Sequence, residues 1–134
     1  MGPSDKLRDV ATTLVDGCRK GQASANLDRL YADDAVSVEA YANPDMKMDR
    51  EARGLEAIKG KHQWWESMFE EQIGDIPPEE AVKGPYYFGD DTFAVHFRMK
   101  IKNKETGEIT EGSEIGTYHV KDGKIVREEF FYPM

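Results

Sequence analysis

"TFAVHFRMKI", residues 92–101, alternates without a break. Phe93, Val95, Phe97, Met99 and Ile101 fall on one side of an extended chain, and Ala94, His96, Arg98 and Lys100 on the other. A period of two marks a strand with one face against a core. Outward from it, "NKETGE" (103–108) reads as a hairpin turn and "TEGSEIGTYHV" (110–120) as the next strand. "KDGK" (121–124) is a turn of the Asp-Gly type, and "IVREEFFY" (125–132) is the last strand. Residues 81–88 add one more strand ahead of the stretch. Toward the N-terminus the period changes. Leu7, Val10, Leu14 and Cys18 recur at steps of three and four, with Ala11 and Val15 widening the stripe, which predicts a helix over 5–20. Ser4 serves as its N-cap and Gly21 as its stop. A short helix over 24–31 is closed by Ala32-Asp33-Asp34, and a strand over 35–41 follows. Residues 42–53, with Pro44, read as a loop. Leu55, Ile58, His62, Trp65 and Phe69, with Met68 beside them, predict a helix over 55–71, ended by Gly74 and Pro77-Pro78. Helices first and antiparallel strands after argue an α+β fold with the helices on one face of the sheet.

The 134 residues fit one domain, 1–134, with one core. Hydrophobic residues make up 39% and charged residues 33%, a globular balance. No apolar run reaches the length of a membrane span, about 18 residues. The first residues lack the apolar centre of a signal peptide, and Lys6 stands where a myristoylation signal wants Ser or Thr. Cys18 is the single cysteine, so no internal disulfide is possible, and a reducing, cytoplasmic setting is expected. The net charge of −8, without a Lys/Arg cluster, argues against nucleic acid as a partner. There is no His-x-His, Cys pair or His-Glu-x-x-His to hold a metal, no Gly-rich phosphate loop and no Gly-x-Ser-x-Gly elbow. Neither metal nor cofactor is expected.

Three stretches, "LDRLYADDAVSVEA" (27–40), "RGLEAIKGKHQWWE" (53–66) and "GTYHVKDGKIVREEFFY" (116–132), carry a further signal. With them the chain, from Asp5 to Tyr132, resembles the nuclear transport factor 2-like superfamily, and within it the SnoaL-like and ketosteroid isomerase-like proteins. The resemblance implies a cone: a curved antiparallel sheet wrapped around N-terminal helices, the cystatin-like arrangement, with a pocket open at one end. It also implies a small-molecule ligand and, as in many members, a homodimer formed through the sheet. In the isomerases a general-base Asp lies four residues beyond the Ala of "YADDA"; here that offset lands on Glu39. Their helix-1 Tyr falls near Leu14 and their protonated Asp near Gly116, so their oxyanion hole is missing at its usual places. Steroid isomerisation by that mechanism is therefore not implied, since such a hole supplies much of the rate.

The candidate site follows from parity. Val36 and Val38 share one face of their strand, and Ser37, Glu39 and Tyr41 the other. Read bare, this buries the valines and leaves Glu39 in water; the resemblance reverses it and brings Tyr41 beside Glu39 at the mouth. If Gly116 faces inward, so do Glu114 and Tyr118. The same alignment turns Val126, Glu128, Phe130 and Tyr132 inward. Carboxylates walled by aromatics lose solvation, which raises their pKa toward that of a neutral-pH acid or base. The competing reading has Glu114 and Glu128 facing solvent or paired with Arg127, Arg98 or Lys100. His62 is either a hydrogen-bonded core residue or a proton carrier in the cone. Trp65 fits the apolar stripe, leaving its neighbour Trp64 for the mouth or the 42–53 loop. His96 and His119 should face away. The candidate catalytic residues are Glu39, as base, and His62; the candidate ligand contacts are Tyr41, Trp65, Phe69, Glu114, Tyr118, Glu128, Phe130 and Tyr132. Two functions compete: isomerase-, cyclase- or hydratase-like acid–base chemistry on a small apolar or aromatic ligand, and a non-catalytic ligand-binding or dimerisation module. A buried Glu39 without a basic partner, beside a roomy cavity, would favour the first. The homodimer contact is expected on the outer face of 92–101, around His96, Arg98 and Lys100.

Overall fold

A computed structural model describes residues 3–42 and 49–133. Helix α1 (Asp5–Arg19) starts where the Ser4 side chain accepts from the Leu7 amide at 3.1 Å. It buries Leu7, Val10, Ala11, Leu14 and Val15 on one stripe. A 3₁₀ turn (Ser24–Asn26) and a four-residue helix, α2 (Leu27–Leu30), follow. Strand β1 (Tyr31–Val38) then begins and ends earlier than the expected 35–41. Tyr31 was expected in a helix. The expected 42–53 loop contains a short strand, β2 (Glu51–Arg53), paired with β1; Pro44 lies outside the described residues. Helix α3 (Leu55–Met68) stops short of the expected residue 71, because Phe69–Glu71 forms a strand, β3, against Ile101–Asn103. A one-turn helix, α4 (Pro78–Ala81), precedes the long sheet strands β4 (Val82–Phe88), β5 (Thr92–Asn103), β6 (Ile109–Lys121) and β7 (Lys124–Phe131).

The strands form one curved seven-stranded sheet in the order β2-β1-β7-β6-β5-β3, with β4 also on β5. Asp122 and Gly123 of the β6–β7 turn both take positive φ, 52° and 78°, as a tight hairpin requires. The expectation of a wholly antiparallel sheet is corrected at one pair: β1 runs parallel to β7. Hairpin turns force β5, β6 and β7 to alternate in direction. No hairpin links β1 to β7, and alternation within a strand carries no information about its direction. The core joins the α1 stripe, Leu27, Leu30 and Ile58 to Phe93, Val95, Tyr118 and Ile125 on the inner face of the sheet. Val126, expected inward, is replaced there by Ile125. The ladder pairs Val120 with Ile125 but His119 with Arg127, so one residue is inserted in β7 and the parity shifts. Beyond that bulge Glu128 and Phe130 face inward as expected. No described helix is long and apolar enough to cross a membrane.

Candidate active site

Between the helices and the inner face of the sheet lies a cavity of about 900 Å³. All ten candidate residues line it: Glu39, Tyr41, His62, Trp65, Phe69, Glu114, Tyr118, Glu128, Phe130 and Tyr132. Their placement follows from local pattern. Ser37 and Glu39 share a parity, and the parallel register sets Ser37 beside Glu128. On β6, Glu114, Gly116 and Tyr118 alternate inward, opposite Phe97, Val95 and Phe93. The Tyr118 ring stacks on Phe93 with centroids 4.8 Å apart and meets Phe130 edge-on at 6.3 Å. Gly116 makes this packing possible. A Cβ there would lie 2.8 Å from the Tyr118 hydroxyl and 3.1 Å from the Phe130 ring.

A chain of polar contacts runs from the core to the mouth. Glu128, only 1% exposed, accepts from the Tyr31 hydroxyl and, at 2.9 Å, from Ser37 Oγ. Ser37 Oγ in turn accepts from Lys61 Nζ at 2.7 Å. Lys61 forms an ion pair with Glu39 and sits 5.2 Å from the Phe130 ring centroid. The Tyr132 hydroxyl donates to Glu39 Oε2 at 2.9 Å, and Tyr41 packs edge-on to Tyr132 at 5.1 Å. Burial pushes the Glu128 carboxyl above its ordinary value, against the opposing pull of Tyr31, Lys61 and Ser37. Burial and the Glu39 charge raise the Tyr132 hydroxyl.

Glu39 therefore faces the cavity and is largely desolvated, with its side chain 14% exposed. The basic partner that the sequence reading did not foresee is Lys61. It lies three residues past Ile58 on the apolar face of α3, where helical spacing could have found it. Of the three candidate carboxylates, Glu39, Glu114 and Glu128, the one without a partner is Glu114. Among the described residues it makes no hydrogen bond or ion pair, and it faces the cavity. Burial first, and then the Glu39 charge, push it up to about 7, with Lys61 opposing. Burial also raises Glu71 on β3 and pushes the Cys18 thiol up to about 12; both line the same cavity.

His62 is not an isolated core histidine. Its Nδ1 lies 3.1 Å from Ser24 Oγ, and Ser24 also donates to Glu66. Burial and the Lys61 charge lower its pKa. Trp64 and Trp65 were expected on different sides, yet both line the cavity. Phe69, just beyond the helix, packs between them with centroids 6.3 and 4.6 Å away. Trp65, 37% exposed, belongs to the rim and not to the core stripe. His119 lies with Thr92 on the opposite side of its strand from Tyr118, as expected.

The SnoaL-like domain family model matches residues 7–132. No match is found among curated proteins. Among solved structures, a Mesorhizobium loti protein described as a candidate SnoaL-like polyketide cyclase is 33% identical, with a TM-score of 0.79 over 94% of this chain and 98% of its own. A candidate isomerase from Bacillus subtilis is 20% identical, with a TM-score of 0.64 over 96% and 84%. A Burkholderia pseudomallei protein of nuclear transport factor 2-like fold is 9% identical, with a TM-score of 0.72 over 96% and 88%.

Proposed function

Given that this chain belongs to the SnoaL-like domain family, we propose that its cavity performs acid–base chemistry, of isomerase or cyclase type, on a small apolar or aromatic molecule. The observation that carries this reading is Glu114, a desolvated carboxyl with no partner among the described residues, facing an aromatic-walled cavity. A carboxyl held at about 7 is half ionised near neutral pH and can both take and return a proton. Glu39 was the first candidate for that role. Its pairing with Lys61 moves the base to Glu114 and makes Glu39 the residue that holds the ammonium in place. A ligand carbonyl facing Lys61 would meet a fixed positive charge as negative charge develops on its oxygen. The Tyr118 hydroxyl, with no partner among the described residues, is a second donor lining the same cavity.

The test is exchange of an acidic C–H for deuterium. Small aryl ketones are incubated with the protein in D₂O and followed by NMR. The wild type should accelerate exchange, and Glu114→Gln should abolish the acceleration while ligand binding survives. Ketones that raise the melting temperature without any accelerated exchange would overturn catalysis in favour of a binding module.

The same reading includes a homodimer. The outer face of the sheet carries Tyr86, Phe88, Ile115 and Phe131, each about half exposed, around His96. His96, Ile115 and Phe131 are direct cross-strand neighbours. Exposed apolar side chains grouped on one face favour burial against a second copy. Arg98 and Lys100, expected in that contact, form ion pairs within the chain, with Glu80 and Asp75 at 3.7 and 3.3 Å.

A further inference from the structure

His62 and Glu66 are four residues apart on α3 and so lie on one face of it, and Ser24 reaches both from the 3₁₀ turn that precedes α2. Counting hydrogens decides how the three are joined. A serine hydroxyl has one proton to give, whereas an ionised carboxylate oxygen can only accept. The Ser24 proton therefore points at Glu66 Oε1, and Ser24 Oγ offers a lone pair to His62 Nδ1. Nδ1 must then carry the ring's proton. In the neutral ring this leaves Nε2 as a bare acceptor, and among the described residues Nε2 has no partner. His62, Ser24 and Glu66 all line the cavity.

We propose that Ser24 and Glu66 are positioning residues that hold His62 as the Nδ1–H tautomer, leaving Nε2 to take the proton of a ligand hydroxyl or N–H. The assignment of a role in turnover rests on the acid–base reading above; the tautomer itself does not. Trp65, three residues further along α3, and Phe69, which packs on it, line the same cavity as His62, so the donor His62 recognises is carried by an aromatic or otherwise flat molecule. Burial and the adjacent Lys61 ammonium keep the ring neutral near pH 7, against the opposing charges of Glu66 and Glu39. A donor-bearing ligand thus meets a base at His62 and a carboxyl at Glu114, from opposite walls of one cavity.

The experiment is a long-range ¹H–¹⁵N correlation spectrum of protein labelled at histidine. It is recorded well above the ordinary histidine value of about 6.5, and His62 is assigned by comparison with His62→Gln. The expected result is an Nδ1–H tautomer for His62 in the wild type. Ser24→Ala should convert it to the Nε2–H form that an unconstrained imidazole prefers, and Glu66→Gln should weaken the preference. A wild-type Nε2–H tautomer, or an unchanged Nδ1–H tautomer in Ser24→Ala, would overturn the proposal. A second arm adds phenol and, separately, anisole, which has the same ring without the hydroxyl proton. Phenol should shift the His62 Nε2 signal and anisole should not. Equal shifts from both probes, or shifts of the cavity aromatics with Nε2 unmoved, would count against Nε2 as acceptor. The tautomer arm needs no ligand, so its outcome is independent of whether the protein accelerates proton exchange.

Discussion

Glu114 shows how one side chain's surroundings set its chemistry. Folding moves its carboxyl from an ordinary value near 4.5 to about 7. A group that holds its proton more tightly when folded contributes stability that is fully present below the unfolded value and lost as pH rises through the folded one. That loss falls between about pH 4.5 and 7 and amounts to on the order of 3 kcal/mol when complete. Glu114→Gln removes it. Urea unfolding should find the variant more stable than wild type above pH 7, with the difference shrinking toward zero below pH 4.5. An equal difference at both ends would show that Glu114 is solvated. Gly116 is the other residue whose chemistry is read from its neighbours. In Gly116→Ala the new methyl meets ring atoms of Tyr118 and Phe130, both held in the packed wall. A loss of about 1–3 kcal/mol is expected in denaturant melts, with altered near-ultraviolet dichroism from the displaced tyrosine.

At the scale of elements, the cavity depends on α3 being tied to β1. That tie is the Lys61–Glu39 ion pair together with the Lys61–Ser37 hydrogen bond. Both charged side chains are less than one-fifth exposed, so removing one partner strands the other. Lys61→Met should destabilise by about 1–3 kcal/mol, the cost of leaving a buried polar group unsatisfied. Adding Glu39→Gln to it should recover part of that loss, which a double-mutant cycle on urea midpoints would measure. Strict additivity would mean the pair contributes no coupling. The bulge in β7 does comparable work on the sheet. One inserted residue between Ile125 and Arg127 lets Ile125 fill the core and still turns Glu128 and Phe130 to the cavity.

At the scale of the whole molecule, the curved sheet presents two faces of different character. The inner face closes on the helices around the cavity; the outer face leaves Tyr86, Phe88, Ile115 and Phe131 in water. The proposed homodimer covers them. Light scattering at micromolar concentration should give twice the 15.2 kDa chain mass. The double substitution Ile115→Lys, Phe131→Lys should give a folded monomer, since both positions point away from the core. A wild-type monomer would refute the assembly.

The sequence by itself determined the fold class, the core stripe of α1 and the inward parity of β6, because the periods of helix and strand are local geometry. The periodicity and the resemblance together named ten residues, and all ten line the cavity, but they passed over others on its wall, among them Lys61, Ser24 and Glu66. Three things waited for the tertiary structure. The parallel pairing of β1 with β7 joins strands about 90 residues apart in the chain, with no turn to set their direction. The bulge at Val126 reverses a parity that counting assumes constant. And which of the candidate carboxylates stays unpaired was decided by where one lysine falls: helical spacing put Lys61 on the right face, but only the packing of α3 against β1 delivered its ammonium to Glu39 and left Glu114 without a partner. Pairing is a property of distances between elements, and those distances are set by the whole fold.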